Sequence, residues 1–253
     1  MKLIPLHAAG ALAALGVSLG ATAAAASTTF SDQTFPLANY SFAFEVLSAP
    51  DNTVNLSQCA TCGDPGSALE LQVGFPSGGG VYNTNNLFGI LNSTFTYDPA
   101  TQGAIKSINA SIDKDFSINV ALLYGNSFRP LIEQGGNFYE TAISGPLLSG
   151  PGTTGFNTIA ATGLTASSFV QVDPVTGAFG TANPDFSGGP MEFGLLQLLG
   201  ASAIENTQAD LVYDNLSLTL TSVPEPATWA MMLVGFGGLG AAIRTRHRRT
   251  AWA

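Results

Sequence analysis

Ala68-Leu69-Glu70-Leu71-Gln72-Val73-Gly74-Phe75 is the stretch that decides the fold. Leu69, Leu71, Val73 and Phe75 fall on one side of an extended chain; Ala68, Glu70, Gln72 and Gly74 fall on the other. A period of two with one apolar side marks a half-buried antiparallel strand. The pattern recurs. Phe42, Phe44 and Val46 alternate with Ser41, Ala43 and Glu45, and Phe116, Ile118, Val120, Leu122 and Tyr124 hold it for nine residues. Val212, Leu216, Leu218 and Leu220 repeat it near the end, broken only at Asp214. Shorter strand candidates are 93–97, 104–112, 138–143, 168–172 and 192–199. Asp98-Pro99, Gly135-Gly136, Gly150-Pro151-Gly152, Asp173-Pro174 and Gly188-Gly189-Pro190 supply the turns between them. About nine strands with no convincing helix among them predict an all-β, antiparallel β-sandwich. A jelly roll is the first choice and an immunoglobulin-like sandwich the second.

The two ends of the chain read differently from this body. Met1-Lys2 is followed by an apolar, alanine-rich run from Leu3 to Ala26, closing on Ala24-Ala25-Ala26. A basic start, an apolar stretch and a small-x-small close define a secretory signal peptide, with cleavage expected between Ala26 and Ser27. Ala21-Thr22-Ala23 is a second cleavage candidate. At the other end, Pro224-Glu225-Pro226-Ala227-Thr228-Trp229-Ala230 leads into an apolar run that stops at Arg244, Arg246, Arg248 and Arg249. Ala227 to Ile243 is 17 residues without a charge, near the short end of a membrane-spanning helix. The arginines stay on the cytoplasmic side, so the residues before Ala227 face outward. Pro224 and Pro226 cannot join a helix interior and make an extended stub just outside the membrane.

This tail resembles the PEP-CTERM sorting domain in its PEPxxWA variety, with Pro224, Glu225, Pro226, Trp229 and Ala230 as the motif residues. The resemblance implies a Gram-negative bacterium, an exosortase-type enzyme acting near Pro-Glu-Pro, a membrane-anchored precursor, and association with exopolysaccharide. It covers about a tenth of the chain. Three segments follow: a signal peptide over 1–26, a sandwich domain over 27–222, and the sorting signal over 223–253 with its single transmembrane helix.

The body, 196 residues, is long enough to bury a core as one domain. Lys106, Lys114 and Arg129 are its three basic residues against sixteen acidic ones, a net charge of −13. Nucleic acid is thereby disfavoured as a partner, because phosphate contacts need a basic stripe. Both histidines, His7 and His247, lie in the targeting segments. The body therefore has no Ser-His-Asp or Cys-His machinery and no histidine metal site. No catalytic residue and no cofactor are expected, and the protein reads as a non-enzyme.

Three kinds of site remain to weigh. Cys59-Ala60-Thr61-Cys62 is the only cysteine pair. A turn, Gly63-Asp64-Pro65-Gly66, follows it rather than the helix of a redox motif, and no further ligands exist for zinc. A Cys59–Cys62 disulfide pinning a surface loop in an oxidising compartment is expected. Asp113 and Asp115 are the candidate carboxylate pair of a jelly-roll glycosidase; they are expected in the turn before Phe116. Glu45 and Glu70 are expected on solvated strand faces. Asp32, Asp51, Asp210 and Asp214 are the candidate ligands of a structural calcium. For sugar stacking, Tyr82 and Tyr139 are the exposed candidates, while the phenylalanines are assigned mostly to the core. Asp210 to Leu218 resembles the last strand of lectin-like and carbohydrate-binding jelly rolls, where an Asp-Asn pair precedes the alternation. Three functions stay open: a surface or matrix protein without catalysis, a glycan-binding module, and a secreted glycoside hydrolase.

Overall fold

The structure, a computed structural model, describes residues 26–47, 49–75, 84–118, 123–149, 152–201, 207–223 and 233–240. Its strands, in chain order, are β1 Ser27–Asp32, β2 Tyr40–Val46, β3 Thr53–Gly63, β4 Gly66–Phe75, β5 Thr84–Tyr97, β6 Ile105–Ile118, β7 Leu123–Phe128, β8 Pro130–Gln134, β9 Asn137–Glu140, β10 Ile143–Ser149, β11 Gly152–Thr153, β12 Asn157–Leu164, β13 Val170–Val172, β14 Met191–Ala201 and β15 Thr207–Ser222. Seven form a first sheet in the order β11-β6-β15-β4-β3, with β1 also on β15 and β12 also on β6. Six form a second sheet, β13-β9-β8-β14-β5-β2, and β7 pairs with β10 apart from both. The strand pairs are antiparallel. Between 27 and 222 the described helix is limited to one turn, Pro99–Gln102, and two 3-10 turns.

The opening stretch is β4, and its alternation is the one expected. Leu69, Leu71 and Val73 are fully buried and Phe75 nearly so, while Glu70, Gln72 and Gly74 are half-buried on the other face. Leu71 and Leu211 of the first sheet share one core with Phe88, Ile90, Phe193 and Leu195 of the second. That shared core makes the two sheets a sandwich. Each side chain sealed this way contributes roughly 1.5–3 kcal/mol of apolar burial.

Bulges change the parity of several strands, and this corrects two sequence readings. In β15 the register shifts between Asp214 and Ser217, and Asn215 has φ 50°. Ala209, Leu211 and Tyr213 face inward before the bulge, and Leu216, Leu218 and Leu220 after it. Val212, expected on the same face as Leu216, therefore lies half-buried on the other. In β2 the shift falls between Phe42 and Phe44. Phe42 packs against the main core, whereas Phe44 and Val46 join a second apolar cluster. The nine-residue alternation from Phe116 is described only in part. Phe116 and Ile118 are buried in β6, residues 119–122 lie outside the described residues, and Leu123 opens β7.

The second cluster is built on the outer face of the second sheet by Phe44, Leu87, Leu91, Leu131, Val172 and Leu196. Strand β5 is consequently covered on both faces: Phe88 and Ile90 look into the main core, Leu87 and Leu91 away from it. Residues 233–240 are helical and exposed, with Leu233, Val234, Phe236 and Leu239 bare to solvent. Among the described residues no helix is long and apolar enough to cross a membrane. The rest of the expected span, 227–232 and 241–243, lies outside them.

Candidate functional site

The second apolar cluster is roofed by the turn that follows β13. Asp173 organises that turn: its Oδ1 accepts the Val175 N–H at 2.8 Å and the Thr176 N–H at 3.0 Å. These bonds hold its carboxyl below the usual carboxylate range. Gly177 closes the turn with φ 70°. A Cβ there would stand 3.3 Å from Leu87 and 3.5 Å from Val46, so the loop backbone lies down on the cluster. The chain then returns beside β13, with Phe179 bridging Val172.

Phe179 stays on the surface, 46% exposed. The Arg129 guanidinium sits 5.7 Å from its ring centroid, within cation–π range. Arg129 Nη1 is also 2.9 Å from Glu140 Oε2. Burial raises the Glu140 pKa, opposed by the Arg129 charge. Beside the ring, Gln171 Nε2 donates to Asn137 Oδ1 at 3.0 Å. Phe179, Gln171, Asn137, Asp173 and Pro174 line an open cavity of about 520 Å³. An aromatic surface, two planar amides and a carboxylate thus meet in one cleft.

The residues expected to carry function are mostly placed elsewhere. Tyr139 is 9% exposed and belongs to the main core. Its neighbour Phe138 takes the outward side of β9, so Tyr139 offers no stacking surface. Tyr82 lies outside the described residues. Asp113 and Asp115 sit within β6 rather than in a turn, and share its outer face. Asp113 accepts from Thr158 Oγ1 and, at 2.8 Å, from Asn215 Nδ2. Asp115 accepts the Thr154 N–H and hydroxyl, both at 3.1 Å. Glu45 is exposed, and Glu70 accepts from Ser57 and Gln72.

The four candidate calcium ligands are used in different places. Asp32 accepts from Thr34 N, Phe35 N and the Tyr40 hydroxyl. Asp214 Oδ2 accepts the Asp64 N–H at 2.6 Å. Asp210 meets Gln208 and Ser117, and Asp51 lies in an exposed turn. Among the described residues no three His, Cys, Asp or Glu side chains gather as a metal site. Cys59 and Cys62 are joined as a disulfide, but within the end of β3, where the register on β4 shifts, and not in a loop.

Two features of the structure are not legible in the sequence. Phe179 is one exception to the assignment of most phenylalanines to the core, and Gly177-Ala178-Phe179-Gly180 after an Asp-Pro turn is loop chemistry. The other is Lys114. In the sequence it is only one of the body's three basic residues, yet it is 1% exposed and points between the sheets. Its Nζ donates to Gln197 Oε1 at 2.8 Å and to the Ser127 carbonyl at 3.1 Å. Burial, with a smaller effect from the Arg129 charge, lowers its pKa to about 7.

The sorting residues Pro224, Glu225, Pro226, Trp229 and Ala230 and the arginines 244, 246, 248 and 249 lie outside the described residues. Residues 222–249 match the PEP-CTERM protein-sorting motif. The chain carries a PEP-CTERM sorting motif. That motif supports an exported protein sorted through an exosortase. No curated relative matches the sequence. Among solved structures, the chain is similar to the family 22 carbohydrate-binding and catalytic modules of Clostridium thermocellum xylanase 10B in complex with xylohexaose, at 8% identity and TM-score 0.32, covering 76% of this chain and 28% of that one. The C-terminal family 22 module of the same enzyme gives 9% identity and TM-score 0.32 over 76% and 94% of the two chains. An exo-beta-agarase gives 16% identity and TM-score 0.32 over 74% and 23%. The chain thus spans about a quarter of the xylanase and agarase chains. Likenesses this distant say nothing of what the chain binds.

Proposed function

We propose that this PEP-CTERM protein is a non-enzymatic surface protein of a Gram-negative bacterium. Residues 1–26 direct export. The tail holds the precursor in the membrane through one helix and its arginines until an exosortase-type enzyme acts near Pro224-Glu225-Pro226. The 27–222 body, a jelly-roll-like sandwich, is then displayed at the cell surface or in exopolysaccharide. The observation that carries this reading is the sorting motif at 222–249, which begins where β15 ends at Ser222. The placement of Asp113 and Asp115 favours the non-enzymatic choice over a hydrolase, since Asp113 engages both oxygens with Thr158 and Asn215 and Asp115 engages Oδ1 with Thr154.

The test is fractionation with a tag on the body. Replacing Pro224, Glu225 and Pro226 by alanine leaves the apolar run and arginines intact. An uncut species should accumulate in the membrane fraction. Deleting 244–249 should instead disturb insertion itself. If the triple-alanine variant is processed and released like the parent, the tail is an anchor only.

A further inference from the structure

We propose that the cleft beside Phe179 binds a neutral glycan, with the apolar face of one sugar ring on the Phe179 ring and its hydroxyls on Gln171, Asn137 and Asp173. The inference takes its setting, display at the cell surface, from the function proposed above.

Four observations converge on this ligand class. First, Phe179 is an aromatic ring held on the surface: 46% of the residue is exposed, and Arg129 packs against it. A ring fixed before binding loses little freedom on binding. Second, the groups beside it suit hydroxyls. Gln171 and Asn137 offer amide donors and acceptors, and Asp173 is held ionised as an acceptor by its own turn. A sugar ring presents C–H groups on a face and hydroxyls at its rim, and the cleft is lined by one aromatic ring, two amides and a carboxylate. Third, charge selects neutral over anionic chains. The body carries −13, Asp173 lines the cleft, and the nearby cation, Arg129, is already paired with Glu140. A uronate or sulfated chain would be repelled. Fourth, the geometry opposes a peptide strand. The β13 edge is occupied: Gln171 N–H donates to the Ala182 carbonyl at 2.9 Å and its carbonyl accepts the Gly180 N–H at 2.8 Å. No free row of backbone groups remains there for strand addition.

The experiment uses the full chain purified in detergent. Affinity electrophoresis and a glycan array would span neutral polysaccharides (glucans, xylans, galactans) and anionic ones (uronate-rich and sulfated). Retention by at least one neutral polysaccharide is expected, weakened roughly tenfold or more in Phe179→Ala, the loss of one stacked ring. Phe179→Trp should keep or strengthen it, and Lys106→Ala, an exposed residue of the first sheet that does not line the cleft, should leave it unchanged. Phe179 is a surface residue, so the variants should melt like the parent. No retention by any neutral glycan, stronger retention by anionic ones, or an unaltered Phe179→Ala would each overturn the proposal. Fractionation of the same variants reads sorting separately. A correctly sorted protein without glycan binding sinks this inference alone.

Discussion

Lys114 Nζ donates to Gln197 Oε1 over 2.8 Å, from the first sheet of the sandwich to the second. The Tyr213 hydroxyl reaches the same oxygen at 2.8 Å. The ammonium also lies 5.7 Å and 5.5 Å from the Phe116 and Tyr213 rings. Lys114 is thus solvated by a side-chain amide, a backbone carbonyl and aromatic rings, and its ionised form is costly there.

Stability should therefore rise with pH across the window from about 7, the lowered pKa of Lys114, to the ordinary lysine value near 10.4. In that window the unfolded chain holds a proton that the folded chain has released, so alkali favours folding by up to about 1.4 kcal/mol per pH unit. Above about 10 the sign reverses. Tyr40, buried and beside Asp32, and the buried Tyr213 hold their protons in the fold when the unfolded chain has lost them. Urea melts at pH 7, 8.5, 9.5 and 11 should trace a maximum between 9 and 10. Lys114→Met should flatten the rising limb. An unchanged slope in that variant would assign the effect elsewhere.

Gly194→Ala should cost about 1–3 kcal/mol or more. A Cβ at this position would fall 1.9 Å from the Ile90 carbonyl oxygen of the neighbouring strand, a backbone atom. Thermal melting gives the value, and an unshifted midpoint would mean that β14 and β5 can part freely.

Asp214→Ala should cost about 1–3 kcal/mol, because it orphans donors that now have an acceptor. The lost contacts are to Asp64 N and Asn215 N, at 2.6 and 2.7 Å. Loosening should concentrate in the β3–β4 turn. Hydrogen exchange at Asp64 checks this, and even exchange across the sheet would argue against it.

Cys59 and Cys62 should titrate as thiols only after reduction. Their joint replacement by alanine should cost no more than about 2 kcal/mol, since the closed loop is short. Thiol counting in denatured, unreduced protein and a melting curve test both halves.

Export should leave Ser27 as the first residue, as N-terminal sequencing would show. That cut removes the Ala26 carbonyl, which accepts from Ser222 N at 2.8 Å and Ser222 Oγ at 3.2 Å. A start at Ala24, from cleavage after Ala23, would instead keep both bonds.

The sandwich was legible where strands run without bulges. Leu69 to Phe75 and Leu216 to Leu220 hold strict alternation and face inward as expected. It was illegible where one extra residue flips the parity. Val212 and Phe44 were misassigned for this reason alone. A sign was present in β15: Asn tolerates the left-handed backbone that Asn215 adopts. Strands β1 and β3 were missed because Ser-Thr-Thr-Phe-Ser-Asp and Thr-Val-Asn-Leu-Ser-Gln are too polar to alternate visibly. The site depended on distant pairings. Nothing near Phe179 in sequence announces Arg129, fifty residues earlier, which packs on its ring.

β15 pairs with β1, β4 and β6, with Ser27 opposite Thr221. In the export proposed above, the last of the described strands to leave a secretion channel is the central strand of the first sheet, and the first residues to leave must wait for it. A chain halted before residue 207 would lack the partner of three strands. Contacts of such sequence separation also form slowly. The body should stay open through almost the whole of translocation and close only when Ser222 is out, so a stall late in export would strand an unclosed chain, open to proteases, rather than a folded domain.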